Sequence, residues 1–208
     1  MDIKKNRKGI LLKRIVDVVV SGIALIILLP IFGIIGIFIK LDSKGPIFFI
    51  QERIGRDGKQ FKIIKFRTMI TGKEEETKKM EINENNPYVT SFGKLLRRTG
   101  FDEMGQLINV LKGNMSLVGP RPTLLYQVKN YNKFEKKRLI MKPGITSWAV
   151  INGRNSITWS ETIKLDIWYI NNWSFWLDIK ILIKTIIVVA KAEGLYCVKG
   201  RDIKRFLK

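Results

Sequence analysis

VVVSGIALIILLPIFGIIGIFI, running from Val18 to Ile39, is the stretch on which the fold turns. Its 22 residues carry no charged side chain. As a straight helix they would extend about 33 Å, enough to cross a hydrocarbon core about 30 Å thick. Pro30 falls near the middle, where a proline removes a helical hydrogen bond and crowds the preceding turn. The length of the run, and the lack of a small-residue cleavage site before Lys40-Leu41-Asp42, distinguish it from a signal peptide. Lys4, Lys5, Arg7, Lys8, Lys13 and Arg14 precede it, and the remaining lysines and arginines follow it. The positive-inside bias therefore draws both flanks to the cytoplasmic side. A single span cannot satisfy that, whereas a helix-break-helix re-entrant segment turning at Pro30 can. A kinked spanning anchor is the alternative reading of the same residues.

Working outward, composition bounds the chemistry. The 208 residues include 38 Lys+Arg against 18 Asp+Glu, a formal net charge of +20, which calls for polyanionic partners: nucleic acid, anionic lipid or nucleotide phosphate. There is no histidine, so histidine general bases, Ser-His-Asp triads and histidine metal sites are excluded. The lone cysteine, Cys197, allows neither an intrachain disulfide nor a zinc cluster and reads as a small residue near the C-terminus. Carboxylates, cations, hydroxyls or a hard cation such as Mg²⁺ must do the work.

After the apolar run, residues 46–66 predict a β-hairpin, because Arg56-Asp57-Gly58-Lys59 separates two β-prone runs and Asp-Gly is a strong turn signal. Residues 71–90, with Glu74-Glu75-Glu76, Lys78-Lys79 and Glu81, read as an exposed excursion with no core role. Helices are predicted from Phe92 to Arg98 and from Phe101 to Lys112, the second closed by Gly113, with a short one over Glu135–Ile140. All five tryptophans, Trp148, Trp159, Trp168, Trp173 and Trp176, fall in one C-terminal stretch and predict contact with the headgroup layer. Ile179, Leu182, Ile183, Ile186, Ile187 and Ala190 then form an apolar stripe at helical spacing. Lys180, Lys184 and Lys191 lie off the stripe, as on a basic amphipathic helix lying in a bilayer plane. A helix packed on its own core is the competing reading of the stripe.

The chemistry concentrates at Arg97-Arg98-Thr99-Gly100-Phe101-Asp102-Glu103. Two acids in a first helical turn, three residues after Thr99, also fit a capping box. The surrounding cations favour a site. Lys65 and Arg67 alternate onto one strand face, Arg121 is held in a stiff Pro120-Arg121-Pro122 loop, and Arg154 sits in Asn152-Gly153-Arg154-Asn155. Guanidinium forks match phosphate oxygens in bidentate fashion, so Lys65, Arg67, Arg97, Arg98, Arg121 and Arg154 predict a diphosphate cradle around the acids.

These motifs, taken in order, resemble the bacterial sugar transferases, small monotopic phosphoglycosyl transferases. The resemblance runs from about Lys13 to Gly194. It is carried by Lys13-Arg14-Ile15-Val16-Asp17, Leu41-Asp42-Ser43-Lys44-Gly45-Pro46, Gln51-Glu52-Arg53-Ile54-Gly55 and Lys65-Phe66-Arg67-Thr68-Met69. Asp102-Glu103, Asn109-Val110-Leu111-Lys112-Gly113, Met115 through Pro122, Pro143-Gly144-Ile145-Thr146, Asn152 through Asn155 and Asp166 complete it.

The resemblance implies transfer of a sugar-1-phosphate from a UDP-sugar to polyprenyl (undecaprenyl) phosphate, with release of UMP. It assigns Asp102 as the nucleophile of a ping-pong reaction and Glu103 as the ligand of Mg²⁺. It also implies phosphate contact by Arg121 and a re-entrant helix broken at Pro30, on the cytoplasmic face of a bacterial inner membrane. The expected fold is α+β and mainly α, with a basic tail and re-entrant segment over residues 1–41. A catalytic domain follows over 42–208, with the hairpin and interfacial helices. The partners expected are UDP-sugar, polyprenyl phosphate and a phospholipid bilayer, with no nucleic acid; an exposed interfacial surface is compatible with a homodimer. Leu29-Pro30, Met104-Gly105 and Ser147-Trp148-Ala149-Val150 depart from the family's usual residues, and Gly105 is expected to loosen its helix by about 1 kcal/mol. A membrane-anchored nucleic-acid-binding protein and a non-catalytic scaffold are the other classes that the charge and the departures leave open.

Overall fold

The computed structural model describes residues 7–72, 86–191 and 194. Of the excursion predicted over 71–90, residues 73–85 lie outside the described residues, as does Cys197; its end is corrected, since Val89 is buried and bridges Met69.

Helix α1 (Arg7–Asp42) spans 36 residues with Pro30 inside it. The break predicted at Pro30 is therefore corrected: the helix runs through. A proline costs about 3 kcal/mol in a helix interior, but α1 is held on both sides of the exposed Pro30 by the rest of the chain. Before it, Lys13 Nζ lies 2.6 Å from Asp178 Oδ2 and donates to the Val118 carbonyl at 2.9 Å. Asp17 Oδ1 accepts from the Leu117 amide at 3.0 Å. Arg14 donates to the Val110 and Leu111 carbonyls, placing a cation at the negative end of a helix. After Pro30, Ile35 and Ile39 are buried with Phe66 and Leu96, and Phe32 packs on the same cluster. Arg67 closes the far end, its guanidinium donating to the carbonyls of Ile39, Ser43 and Lys44.

Strands β1 (Phe48–Ile54) and β2 (Gln60–Phe66) form the predicted antiparallel hairpin, in register Phe49↔Lys65, Gln51↔Ile63 and Arg53↔Phe61. The turn uses Asp57 at φ 57° and Gly58 at φ 77°, the left-handed region that Asp-Gly supplies cheaply. Helix α2 (Ser91–Thr99) starts where the Thr90 side chain accepts from the Gly93 amide. The helix predicted from Phe101 opens as a 3₁₀ turn over Phe101–Glu103 and becomes α-helical as α3 (Gln106–Leu111). Strands β3 (Ser116–Val118) and β4 (Gly144–Thr146) pair in parallel. Three residues each are too few to show a period in sequence. The helices α4 (Leu125–Lys129), α5 (Trp148–Ile151), α6 (Trp159–Asn171) and α7 (Phe175–Ala190) follow, with Glu135–Ile140 as a 3₁₀ segment before β4.

The main core joins Leu107, Leu117, Val118, Met141, Tyr169, Ile170, Trp173 and Ile181, with Ile10, Leu25 and Leu28 of α1 packed against it. Trp173 and Trp159 are buried, which corrects the reading of all five tryptophans as headgroup contacts. Each has a partner inside the fold: Trp173 Nε1 donates to Asp178, and the Trp159 ring lies under the Arg138 guanidinium at 4.8 Å. Trp176, at 78 % exposure, and the stacked pair Trp148–Trp168 keep the outward character. On α7, Asp178 and Ile181 face inward, while Ile183, Ile186 and Ile187 are exposed. With Val19, Ile23, Ile26, Ile27, Leu29 and Ile34 of α1, these isoleucines leave a large apolar surface uncovered. Patches of that extent mark contact with a membrane or another protein, and among the described residues α1 is the one helix long and apolar enough to cross a bilayer.

Candidate active site

The dyad sits where α2 stops. Gly100 adopts the left-handed conformation at φ 74°, which ends α2 and turns the chain into the Phe101–Glu103 segment. Thr99 does not cap that segment, because its hydroxyl turns back to the Leu95 and Leu96 carbonyls. The capping-box reading of the acids is thus overturned, and both carboxylates are left for other partners.

Those partners come from three elements. Lys65, near the end of β2, brings Nζ to 2.6 Å from Glu103 Oε1. Arg121, following β3, reaches the same oxygen at 3.6 Å. Arg97, in the last turn of α2, donates from Nε to Thr68 Oγ1 at 2.9 Å and acts electrostatically on Asp102. Arg154, after α5, acts on both acids. Its φ of 52° is rare for a residue with a side chain and marks a loop held against its preference. Among the described residues, no salt bridge falls on Asp102 itself.

This asymmetry divides the two acids. Burial alone would raise Glu103, but Lys65, Arg121 and Arg154 draw its carboxyl down to about 2. Burial and the adjacent Glu103 charge push Asp102 up to about 6, against the opposing pull of Lys65, Arg97 and Arg121. Two carboxylates forced apart in this way mark an acid/base or nucleophile assignment.

Two of the predicted phosphate ligands lie elsewhere. Arg67 follows the last residue of β2, and its fork is spent on the three carbonyls at the end of α1. Strand alternation therefore does not carry it to the site of Lys65. Arg98 is exposed and makes no contact with the dyad, because a helical step of about 100° turns it away from Arg97.

Three residues outside the predicted set belong to the surroundings. Arg53 shares a hairpin face with Gln51 and Lys65, and its Nη2 donates to Gln51 Oε1 at 2.6 Å. The signal was present in sequence as the alternation Gln51, Arg53 opposite Lys65 across the Asp-Gly turn. Arg138 and Asp166 form a fully buried pair beneath Arg121. Arg138 donates to the Arg121 carbonyl at 3.1 Å and to Tyr131 Oη at 2.6 Å. The rigid Pro-Arg-Pro loop is thereby held at the carbonyl of its central residue.

No three acidic, Cys or His side chains cluster among the described residues. A hard cation at the dyad would have two carboxylates and the oxygens of a phosphate ligand, which is the way Mg²⁺ is commonly held. The residues fit that arrangement, since both ion pairs of Glu103 fall on Oε1.

The family model described as bacterial sugar transferase matches residues 8–192. The chain is 42 % identical over 200 residues to the "uncharacterized sugar transferase EpsL" of Bacillus subtilis, covering 94 % of this chain and 96 % of that protein. It is 40 % identical over 184 residues to the UDP-glucose:undecaprenyl-phosphate glucose-1-phosphate transferase of Escherichia coli, covering 85 % of this chain and 39 % of that one. It is 37 % identical over 205 residues to the undecaprenyl-phosphate galactose phosphotransferase of Salmonella typhimurium, covering 92 % of this chain and 43 % of that one. The chain thus spans nearly all of the first relative and about two-fifths of the other two.

Proposed function

This chain belongs to the bacterial sugar transferase family, and from that premise we propose that it is a phosphoglycosyl transferase. It moves a sugar-1-phosphate from a UDP-sugar to a polyprenyl phosphate and releases UMP. The observation that carries the reading is the divided dyad: Glu103 is held ionised by Lys65 and Arg121, beside an Asp102 that no salt bridge among the described residues neutralises.

In this reading Asp102 is the nucleophile. Its carboxylate attacks the β-phosphorus, and the bond from that phosphorus to the UMP oxygen breaks with its electron pair. The sugar phosphate is then carried on Asp102, and one displacement has become two. A carboxyl near pH 6 is mostly ionised at neutral pH and more basic than an ordinary aspartate, which suits a nucleophile. Lys65, Arg97, Arg121 and Arg154 hold the phosphate oxygens and offset the charge that moves through the transition state. Glu103, with Asp102 beside it, would hold Mg²⁺, which supplies further neutralisation of the diphosphate.

The membrane placement follows the same logic. The body grips α1 before and after Pro30, which supports keeping both flanks on one face, the cytoplasmic one of the inner membrane. The uncovered isoleucines of α1 and α7 meet lipid there. A nucleic-acid role is disfavoured, because the site cations converge on two carboxylates, and Trp159 and Trp173 are buried away from any base.

The test is UMP release from a panel of UDP-sugars, with Mg²⁺ and undecaprenyl phosphate in detergent. Release by the wild type and loss of at least a thousandfold in Asp102→Asn is expected. Exchange of labelled UMP into UDP-sugar without any lipid acceptor is the signature of the covalent route. Release undiminished in Asp102→Asn would overturn the assignment.

A further inference from the structure

Arg53 lies next to the Pro-Arg-Pro loop by backbone pairing. The amide of Ile54 donates to the Thr123 carbonyl at 2.8 Å, and this single antiparallel bridge sets the end of β1 beside Arg121-Pro122-Thr123. Arg53, Arg121 and Arg154 all act electrostatically on Glu103. Among the described residues, the Arg53 guanidinium makes one hydrogen bond, from Nη2 to Gln51 Oε1. Its Nε–H, and Nη1 of Arg154, are buried without a hydrogen-bond partner. Buried donors of this kind are uncommon and costly. Burial, then the charge of Arg121, draws Arg53 down to about 10, and the same two causes lower Arg154. Three guanidinium groups gathered against mutual repulsion, two of them with idle donors, describe an anion site waiting for its ligand.

The chemistry says which anion. Displacement at phosphorus keeps the attacking and leaving oxygens roughly in line. In the first step, the bond from Asp102 forms as the bond to the nucleotide phosphate breaks. In the second, an oxygen of the acceptor phosphate supplies an electron pair to the same phosphorus, and the Asp102 carboxylate departs intact. Asp102 is on one side of that phosphorus throughout. The group that leaves first and the group that enters second therefore use the same opposite side. No proton transfer is required, because the acceptor phosphate already carries the pair.

We propose that Arg53 and Arg154, with Arg121, form one phosphate seat occupied in turn by the phosphate of the leaving nucleotide and by that of the lipid acceptor. The proposal rests on the transfer reading above and adds Arg53 to the residues that contact substrate.

The experiment uses the full chain in detergent, in the Asp102→Asn background, which binds without turnover. UMP and a short-chain polyprenyl phosphate are titrated singly and against each other. Mutual displacement is expected, with Arg53→Gln weakening both ligands by about tenfold to a hundredfold, the range of a lost charge-assisted contact. Arg53→Lys should fall between, and an unchanged Tm separates lost contact from lost fold. In wild-type turnover, UMP should inhibit competitively against polyprenyl phosphate, a readout that does not depend on any variant folding. Simultaneous binding of the two ligands, or a UMP affinity unmoved in Arg53→Gln, overturns the proposal. Mutual, Arg53-dependent displacement without sugar transfer from any UDP-sugar would uphold the seat and overturn the transfer reading instead.

Discussion

Lys65 Nζ stands 2.6 Å from Glu103 Oε1, so an ammonium on the hairpin decides which of two adjacent acids carries a fixed charge. The charge it stabilises on Glu103 is one of the causes that raise Asp102. The hairpin thus acts on Asp102, the proposed nucleophile, partly through its neighbour.

The exchange of UMP into UDP-sugar should follow that titration. Its rate is expected to rise with pH through about 6 and to level off above, as Asp102 ionises. Lys65 lowers both acids, so Lys65→Met should move the rising limb to higher pH. A pH–rate profile from pH 5 to 9 on both proteins checks this, and a limb unmoved in Lys65→Met would contradict it.

The same shift has a stability consequence of opposite sense to the usual carboxylate. Asp102 in the folded chain is raised from 3.8 to about 6, so between those values the folded state binds more protons than the unfolded one. Stability from this group therefore falls as pH rises through that window. Asp102→Asn should melt at a higher temperature than wild type at pH 8, and the gap should close below pH 4. Thermal melts at the two pH values decide it.

Gly105 follows the dyad, and helix propensity alone would favour alanine there. The tertiary contact reverses the sign. A Cβ on Gly105 would lie 3.0 Å from the Ile64 carbonyl oxygen on β2. Gly105→Ala is expected to destabilise by about 1–3 kcal/mol, the range for overpacking. It should also lower kcat by pushing the dyad away from Lys65. Denaturant unfolding beside steady-state kinetics would reveal both, and a stabilised variant would refute the argument.

Asp166→Asn leaves the Arg138 guanidinium buried without a carboxylate partner among the described residues. Breaking a buried pair in this way costs about 3–5 kcal/mol. Because Arg138 also donates to the Arg121 carbonyl, the loop should lose its register as well. Loss of stability with an increase in KM for UDP-sugar is expected, and Arg138→Met with Asp166→Leu together should recover stability without recovering KM.

Lys13 and Asp178 join α1 to α7, and Asp178 also accepts from Tyr169 and Trp173. Lys13→Met should lower Tm by several degrees in detergent, since it leaves a buried carboxylate without its cation. The fluorescence of Trp173, which donates to the same oxygen, would report the change directly.

The sequence by itself determined the local elements and the chemical inventory. Asp57-Gly58 can turn a chain where few other pairs can, so the hairpin was readable. Thr90 and Gly100 bound α2 by conformational preferences that act within a few residues. The length of the apolar run and the absence of histidine needed no fold to interpret. What only the tertiary structure decided were relations over long separations. Pro30 marks where a helix is weak, but contacts from Lys13 to Asp178 and from Arg67 to Ile39 hold α1 on either side of it. Arg67 and Arg53 look alike in sequence. One is used up on the end of a helix and the other faces Arg121, because β2 ends at Phe66 while β1 is bridged to Thr123. Trp159 and Trp176 are equally aromatic, yet only one has a buried arginine to cover. Local preference is settled by each residue's own covalent geometry; which charge meets which, and which ring meets water or lipid, is settled by packing that brings distant segments together.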